Sequence, residues 1–170
     1  MQRPSRRRRQ QGFTLVEMII VTAILGILGS IAVAQGRDYA RRARISEVVM
    51  AVTKCKNAIA ENYLTFSDAP PPGGWGCEVA GPSGNYAGRI QTSSNGVIRV
   101  VIANLDPVVN GQHIYLAPTR RDGTTPLTTP DDLGRAVGGW ICGSDWMLVR
   151  NALPANCRID TTTYSTQDYN

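Results

Sequence analysis

The segment from Phe13 to Ala34 constrains this chain more than any other. It holds 22 consecutive residues in which Glu17 is the sole charge. As a helix rising 1.5 Å per residue it would extend about 33 Å, matching a hydrocarbon core of about 30 Å. A removable secretion signal has a shorter apolar region than this one. The expectation is a retained membrane helix. Arg3 and Arg6, Arg7, Arg8 and Arg9 precede it with no acidic residue among them, whereas Arg37, Arg41, Arg42 and Arg44 follow it, offset by Asp38. The excess on the leader side predicts a cytoplasmic N-terminus and an exported remainder.

Those five leading arginines also carry the net charge of +5; without them the chain has as many basic as acidic side chains. Overall basicity is therefore a property of the leader and predicts no nucleic-acid partner. Glu17 is the anomaly. A charge at mid-bilayer costs about 2.5–3.5 kcal/mol, and less near a helix end. One reading is an interfacial carboxylate that snorkels or takes up a proton. The sharper reading is a carboxylate awaiting a cation. Cleavage after Gly12 would create an α-amino group on Phe13 at the edge of the apolar helix. The first turn separates that amine from Glu17 of its own chain, but an axially shifted neighbour could supply one, offsetting both desolvation costs.

With these residues in view, the stretch "GFTLVEMIIVTAILGILGSIA" closely resembles the N-terminus of bacterial type IV prepilins: a basic leader ending in Gly, then Phe, a Glu four residues on, and an unbroken apolar helix. The resemblance implies that a prepilin peptidase, which is also an N-methyltransferase, cuts between Gly12 and Phe13 and methylates Phe13. It implies that Glu17 then neutralises the Phe13 amine of an adjacent subunit during assembly. The chain departs from the commonest family pattern at Ala34, where many members carry proline, and at Gly36, often an aromatic. Gly26, Gly29 and Gly36 are the points of helical weakness here, each costing roughly 1 kcal/mol against alanine.

The helical signal continues past the apolar segment. No further proline occurs until Pro70, and Ile45, Val48, Val49, Val52, Cys55, Ile59 and Tyr63 recur at three- and four-residue spacing. This is one face of an amphipathic helix. A helix from about Thr14 to Leu64 would reach roughly 75 Å, so its second half needs something to pack on. Residues 65–88 are rich in Pro and Gly and read as an irregular connection. Strands are expected over residues 88–92, 97–103, 113–118 and 139–144, with 120–132 as loop and the Thr/Ser/Tyr-rich tail from Arg158 extended. The fold class expected is α+β, and by resemblance the pilin fold: a long N-terminal helix packed on a roughly four-stranded antiparallel sheet with a C-terminal disulfide loop. The expected organisation is a cleaved basic leader (1–12), a transmembrane or filament-core half-helix (13–34), an amphipathic half-helix (35–64) and a globular head (65–170).

Four cysteines, Cys55, Cys77, Cys142 and Cys157, allow three pairings. They lack the paired C-x-x-C spacing of a zinc site, and export places them where disulfides persist. The non-nested pairing is preferred, because each bond then joins a helix or strand to the segment that follows it. Cys142–Cys157 would close a loop worth roughly 3 kcal/mol, and "WICGSDWMLVRNALPANC" resembles the C-terminal disulfide loop of many type IVa pilins, a surface that often carries adhesive properties. Trp146 and Arg150 in that loop are the candidate contact surface.

No catalytic residues, metal site or cofactor are expected. His113 is the sole histidine and has no nucleophilic constellation around it, and no phosphate loop is visible. Arg120, Arg121 and Arg150 are candidates for nucleic-acid contact, but adjacent arginines in a turn are ordinary. The reading is a structural subunit that polymerises through its apolar helix into an extracellular type IV pilus serving adhesion, twitching motility or DNA uptake. Its partners would be copies of itself, the processing peptidase, the inner-membrane assembly platform with its separate ATPases, and the membrane before assembly. The precursor would sit in the bacterial inner membrane with its head in the periplasm. A minor pilin acting as DNA receptor or adhesin, or a type II secretion pseudopilin, are the alternatives.

Overall fold

A computed structural model describes residues 12–169. The leader arginines, Arg3 and Arg6 to Arg9, lie outside the described residues. Helix α1 spans Leu15–Ala51 and helix α2 spans Thr53–Thr65. The single helix expected over residues 14–64 is thus interrupted once, at Val52, whose backbone takes φ −84° and ψ 0°. Val48, Val49, Val52 and Thr53 crowd β-branched side chains around that point, which weakens helical preference there. Gly26, Gly29 and Gly36 all lie within α1.

The chain divides after Asp38 into two units. In the first, the apolar side chains are exposed on every side of the helix: Leu15, Ile19, Leu25 and Ile27 are each more than half accessible. The polar side chains among them spend their hydrogen bonds locally. The Thr22 hydroxyl donates to the Met18 carbonyl at 2.9 Å and the Ser30 hydroxyl to Ile27 at 2.7 Å, so neither presents an unmet donor to an apolar surrounding. A helix apolar all round needs lipid or other helices about it.

The second unit begins at Tyr39. Its sheet has five strands in sequential order: β1 Ala87–Thr92, β2 Ile98–Ile102, β3 His113–Thr119, β4 Gly139–Ser144 and β5 Ile159–Asp160. The first four are antiparallel, and β5 pairs parallel to β4. The fifth strand corrects the expected count of four. A parallel neighbour requires a crossover, here supplied by helix α3 (Met147–Ala152) and a 3-10 turn, Ala155–Cys157.

Alternation along the strands builds the core. Ile98, Val100 and Ile102 are fully buried while Arg99 and Val101 between them are half-exposed. Register aligns Ile90, Val100 and Ile114 in one row and Ile98, Leu116 and Cys142 in another. Ile45, Val48, Val52, Cys55, Ile59 and Tyr63 of the two helices pack with them in one buried cluster. The irregular connection contributes Trp75, whose indole N–H donates to the Ser93 carbonyl at 2.8 Å and whose ring centroid lies 5.0 Å from Tyr63. Gly96 makes room for it: a Cβ there would come within 3.1 Å of the indole, and its φ of +69° suits glycine.

The tail is not extended as expected. After β5 it forms a helical turn, α4 (Thr162–Ser165), and Tyr164 packs with Val97, Tyr115, Ala117 and Ile141 on the sheet face away from the main core. The Tyr169 ring lies 4.1 Å from the Arg99 guanidinium, and its hydroxyl donates to the Tyr164 carbonyl at 2.8 Å. Both faces of β3 are therefore covered, which is why every residue from Ile114 to Thr119 is buried. The rims of the sheet are also occupied. Val79 bridges Ile90 of β1 through two hydrogen bonds of 3.0 and 2.9 Å, and β5 at the other rim is two residues long.

Candidate functional site

Two regions hold the residues singled out from sequence. At the first, Gly12 and Phe13 precede α1 and are exposed, so the bond between them lies in accessible backbone outside the helix. The Thr14 carbonyl accepts the first intrahelical bond from the Met18 amide at 3.3 Å, making Thr14 the N-cap residue. The Thr14 amide and hydroxyl both donate to Glu17 Oε2, at 2.9 and 2.7 Å, and the Glu17 amide donates back to the Thr14 hydroxyl at 3.3 Å. This reciprocal arrangement is a capping box. The sequence carries its signature, Thr-x-x-Glu ahead of an apolar run, which the membrane reading of Glu17 passed over. It also alters the geometric premise above: the carboxylate folds back over the first turn as far as residue 14, one residue short of Phe13.

The second region is the crossover between β4 and β5. Cys142 on β4 is joined to Cys157, and Cys55 on α2 is joined to Cys77 in the connection. Of the two candidate contact residues, the structure leaves one at the surface. Trp146 is 40% exposed, beside exposed Met147 and Leu148. Arg150 instead turns inward, with Nη1 2.5 Å from the Asp160 carboxylate and 3.3 Å from the Ser144 carbonyl. It clamps β5 to β4. Trp140 is half-buried against the core, with the Lys56 ammonium 5.4 Å from its ring centroid.

Ion pairs fix the head's loops. Arg41 reaches Asp106 at 2.6 Å, tying α1 to the β2–β3 connection. Asp132 is buried and accepts from Arg120 at 3.0 Å and from the Thr128 amide at 3.0 Å, with Arg135 at 3.5 Å. Burial pushes the Asp132 carboxyl up, but the Thr128 amide and the Arg120 guanidinium outweigh it and hold the group below its ordinary value of 3.8. A depressed carboxylate contributes stability that is complete above the ordinary value and lost as pH falls through the depressed one. Asp132→Asn is accordingly expected to destabilise the head by about 1–3 kcal/mol at neutral pH. In thermal melts of the full-length protein in detergent, the gap from wild type should close below pH 3.8; a gap constant with pH would refute the assignment.

His113 is half-buried, 6.0 Å from the Tyr115 ring, and burial followed by the Arg99 charge lowers its pKa. Among the described residues no group of His, Cys, Asp or Glu side chains is arranged to hold a metal ion.

Comparison with known proteins bears on both regions. Residues 7–33 match the family model of the prokaryotic N-terminal methylation motif, and residues 41–158 match that of pilin, the bacterial filament protein. The type IV major pilin protein PilE of Neisseria gonorrhoeae is 32% identical over 162 residues, covering 88% of this chain and 94% of that protein. A fimbrial protein of Neisseria meningitidis serogroup B is 31% identical over 139 residues, covering 79% and 73%. Fimbrial protein EcpC of Eikenella corrodens is 29% identical over 154 residues, covering 88% and 91%.

Proposed function

Because the chain belongs to the type IV pilin family, we propose that it serves as a structural subunit of a type IV pilus and polymerises through its exposed apolar helix. The observation that carries this reading is an apolar helix, accessible on all sides, joined in sequence to a head with its own complete core. Such a helix is soluble in lipid and, once withdrawn from lipid, only among other apolar helices. Repetition of one head-to-tail contact that does not close on itself gives a filament.

Before assembly the subunit is anchored in a membrane by the same helix. The arginine excess before Phe13 supports insertion with the head on the periplasmic side. A prepilin peptidase then cuts the exposed Gly12–Phe13 bond and methylates the new amine. That amine, as a cation, is drawn to the Glu17 carboxylate of a subunit already in the growing filament, with the inner-membrane platform presenting one to the other. In the lone subunit Glu17 is held by Thr14, so docking exchanges two neutral donors for a charge. Pairing is favoured because either charge left alone in the apolar setting would carry an uncompensated desolvation cost.

The test is the chemical state of the main component of fibres sheared from the cell surface. Mass spectrometry should give an N-terminus at Phe13 carrying one added methyl group. Fibres whose main component retains residues 1–12 would refute the processing scheme, and fibres lacking this chain altogether would refute the structural role.

A further inference from the structure

The loop connecting β3 to β4 doubles back on itself, and its two arms, residues 120–122 and 134–136, bound a half-open cleft of about 490 Å³. Arg120, Arg121 and Arg135 line it together with Asp122, Leu127 and Ala136. The charges in this cleft are unevenly committed. Asp132 beneath it is buried and taken up by Arg120 and Thr128. Asp122 accepts from the Thr124 and Thr125 amides at 2.9 Å and from the Thr125 hydroxyl. Arg135 is 65% exposed and lies at the long end of its contact with Asp132. Arg121 is exposed and makes no hydrogen bond or ion pair to any described residue. The cleft therefore offers two guanidinium groups to a ligand, with one carboxylate, Asp122, on the same wall.

We propose that this cleft binds a sugar acid: a ring that carries hydroxyl groups and one carboxylate. A guanidinium fork matches a carboxylate through two parallel hydrogen bonds, which assigns the ligand's charged end to Arg121 and Arg135. Asp122 would repel a bare inorganic anion but accepts a hydrogen bond from a hydroxyl, so the wall as a whole suits a molecule with both groups. Nucleic acid fits less well. Single strands are held by aromatic side chains on which bases stack, and no aromatic residue lines this cleft. A duplex, being convex, does not enter a concavity of this size. The proposal concerns the head alone and does not depend on polymerisation.

The experiment uses the full-length subunit in detergent micelles, with glucuronate as the probe and saturation-transfer NMR and calorimetry as the readouts. Glucuronate is expected to bind, glucose to give no signal, and Arg121→Gln to weaken glucuronate about tenfold, the loss of one charge-assisted pair. Arg121→Lys, which keeps the charge but not the fork, should fall between. Ala136→Phe fills the cleft without altering charge and should abolish binding, so a folding failure in either position leaves the other to decide. Equal binding of glucose, unchanged affinity in Arg121→Gln or in Ala136→Phe, or displacement of glucuronate by lower concentrations of phosphate or of a single-stranded oligonucleotide would each overturn the proposal.

Discussion

Cells whose sole copy of this subunit carries Glu17→Gln are expected to show no surface fibres, although the variant protein is made, inserted and processed. Glutamine can still accept the hydrogen bonds that Thr14 now gives to Glu17, and it serves in a capping box as glutamate does. The substitution therefore spares the helix start and removes only the charge. On the proposed scheme this would leave a Phe13 amine with no counter-ion in an apolar surround, and leaving one partner of such a pair alone costs about 3–5 kcal/mol. Addition of each subunit would weaken by roughly two to four orders of magnitude. Thr14→Ala is the complementary variant. It removes the cap, worth about 1 kcal/mol, keeps the charge, and should reduce fibre number without abolishing it. Electron microscopy of sheared fibres, with immunoblots for the processed subunit, reads both. Normal fibres from Glu17→Gln would show that the carboxylate acts only as a cap.

Replacing Cys142 and Cys157 together by serine is expected to lower the melting temperature of the protein by roughly 10 °C. The bond spans 15 residues, and a loop of that length accounts for about 3 kcal/mol through the entropy it denies the unfolded chain. Its position makes the effect local as well as global. The closed loop is the crossover that carries β5 back alongside β4 and holds Arg150 against Asp160. Gly143, paired with Ile159, has no room for a side chain, since a Cβ would collide with the Ile159 carbonyl. Opening the loop should therefore loosen β5 and the tail after it before the rest of the sheet. Hydrogen exchange should report faster exchange at Thr161 and Tyr164 than at Val100 or Ile114 in the variant. Uniform acceleration across the sheet would contradict that order.

The α+β architecture was legible because its signals are local and repeated. Of the seven residues read from spacing as a helical stripe, Ile45, Val48, Val52, Cys55, Ile59 and Tyr63 are buried and Val49 is partly buried. β4 was placed at its observed bounds because apolar residues and glycines bracket it, whereas β2 ends one residue short of the reading at each side. The parts that escaped depend on tertiary contact. A strand of two residues has no alternation to detect, so β5 could not be read. Arg150 looked available because its partner Asp160 is brought to it by the parallel register of that same strand. The tail reads as extended from its Thr and Ser content, yet Tyr164 and Tyr169 have the sheet's second face to pack on. A hint was present in "HIYLAPT", where the near-continuous apolar run signals a strand covered on both sides. The Thr14–Glu17 cap is legible in the sequence as well, as Thr-x-x-Glu ahead of an apolar run.

The bridged and shortened rims of the sheet govern what kind of material the fibre can be. A sheet-bearing protein stacked in many copies courts a rival order, in which open strand edges zip from molecule to molecule and never let go. With Val79 hydrogen-bonded along one rim and a mere dipeptide at the other, that route is blunted. Cohesion in the proposed fibre would then fall to apolar helices and paired charges, contacts that a detergent micelle can undo.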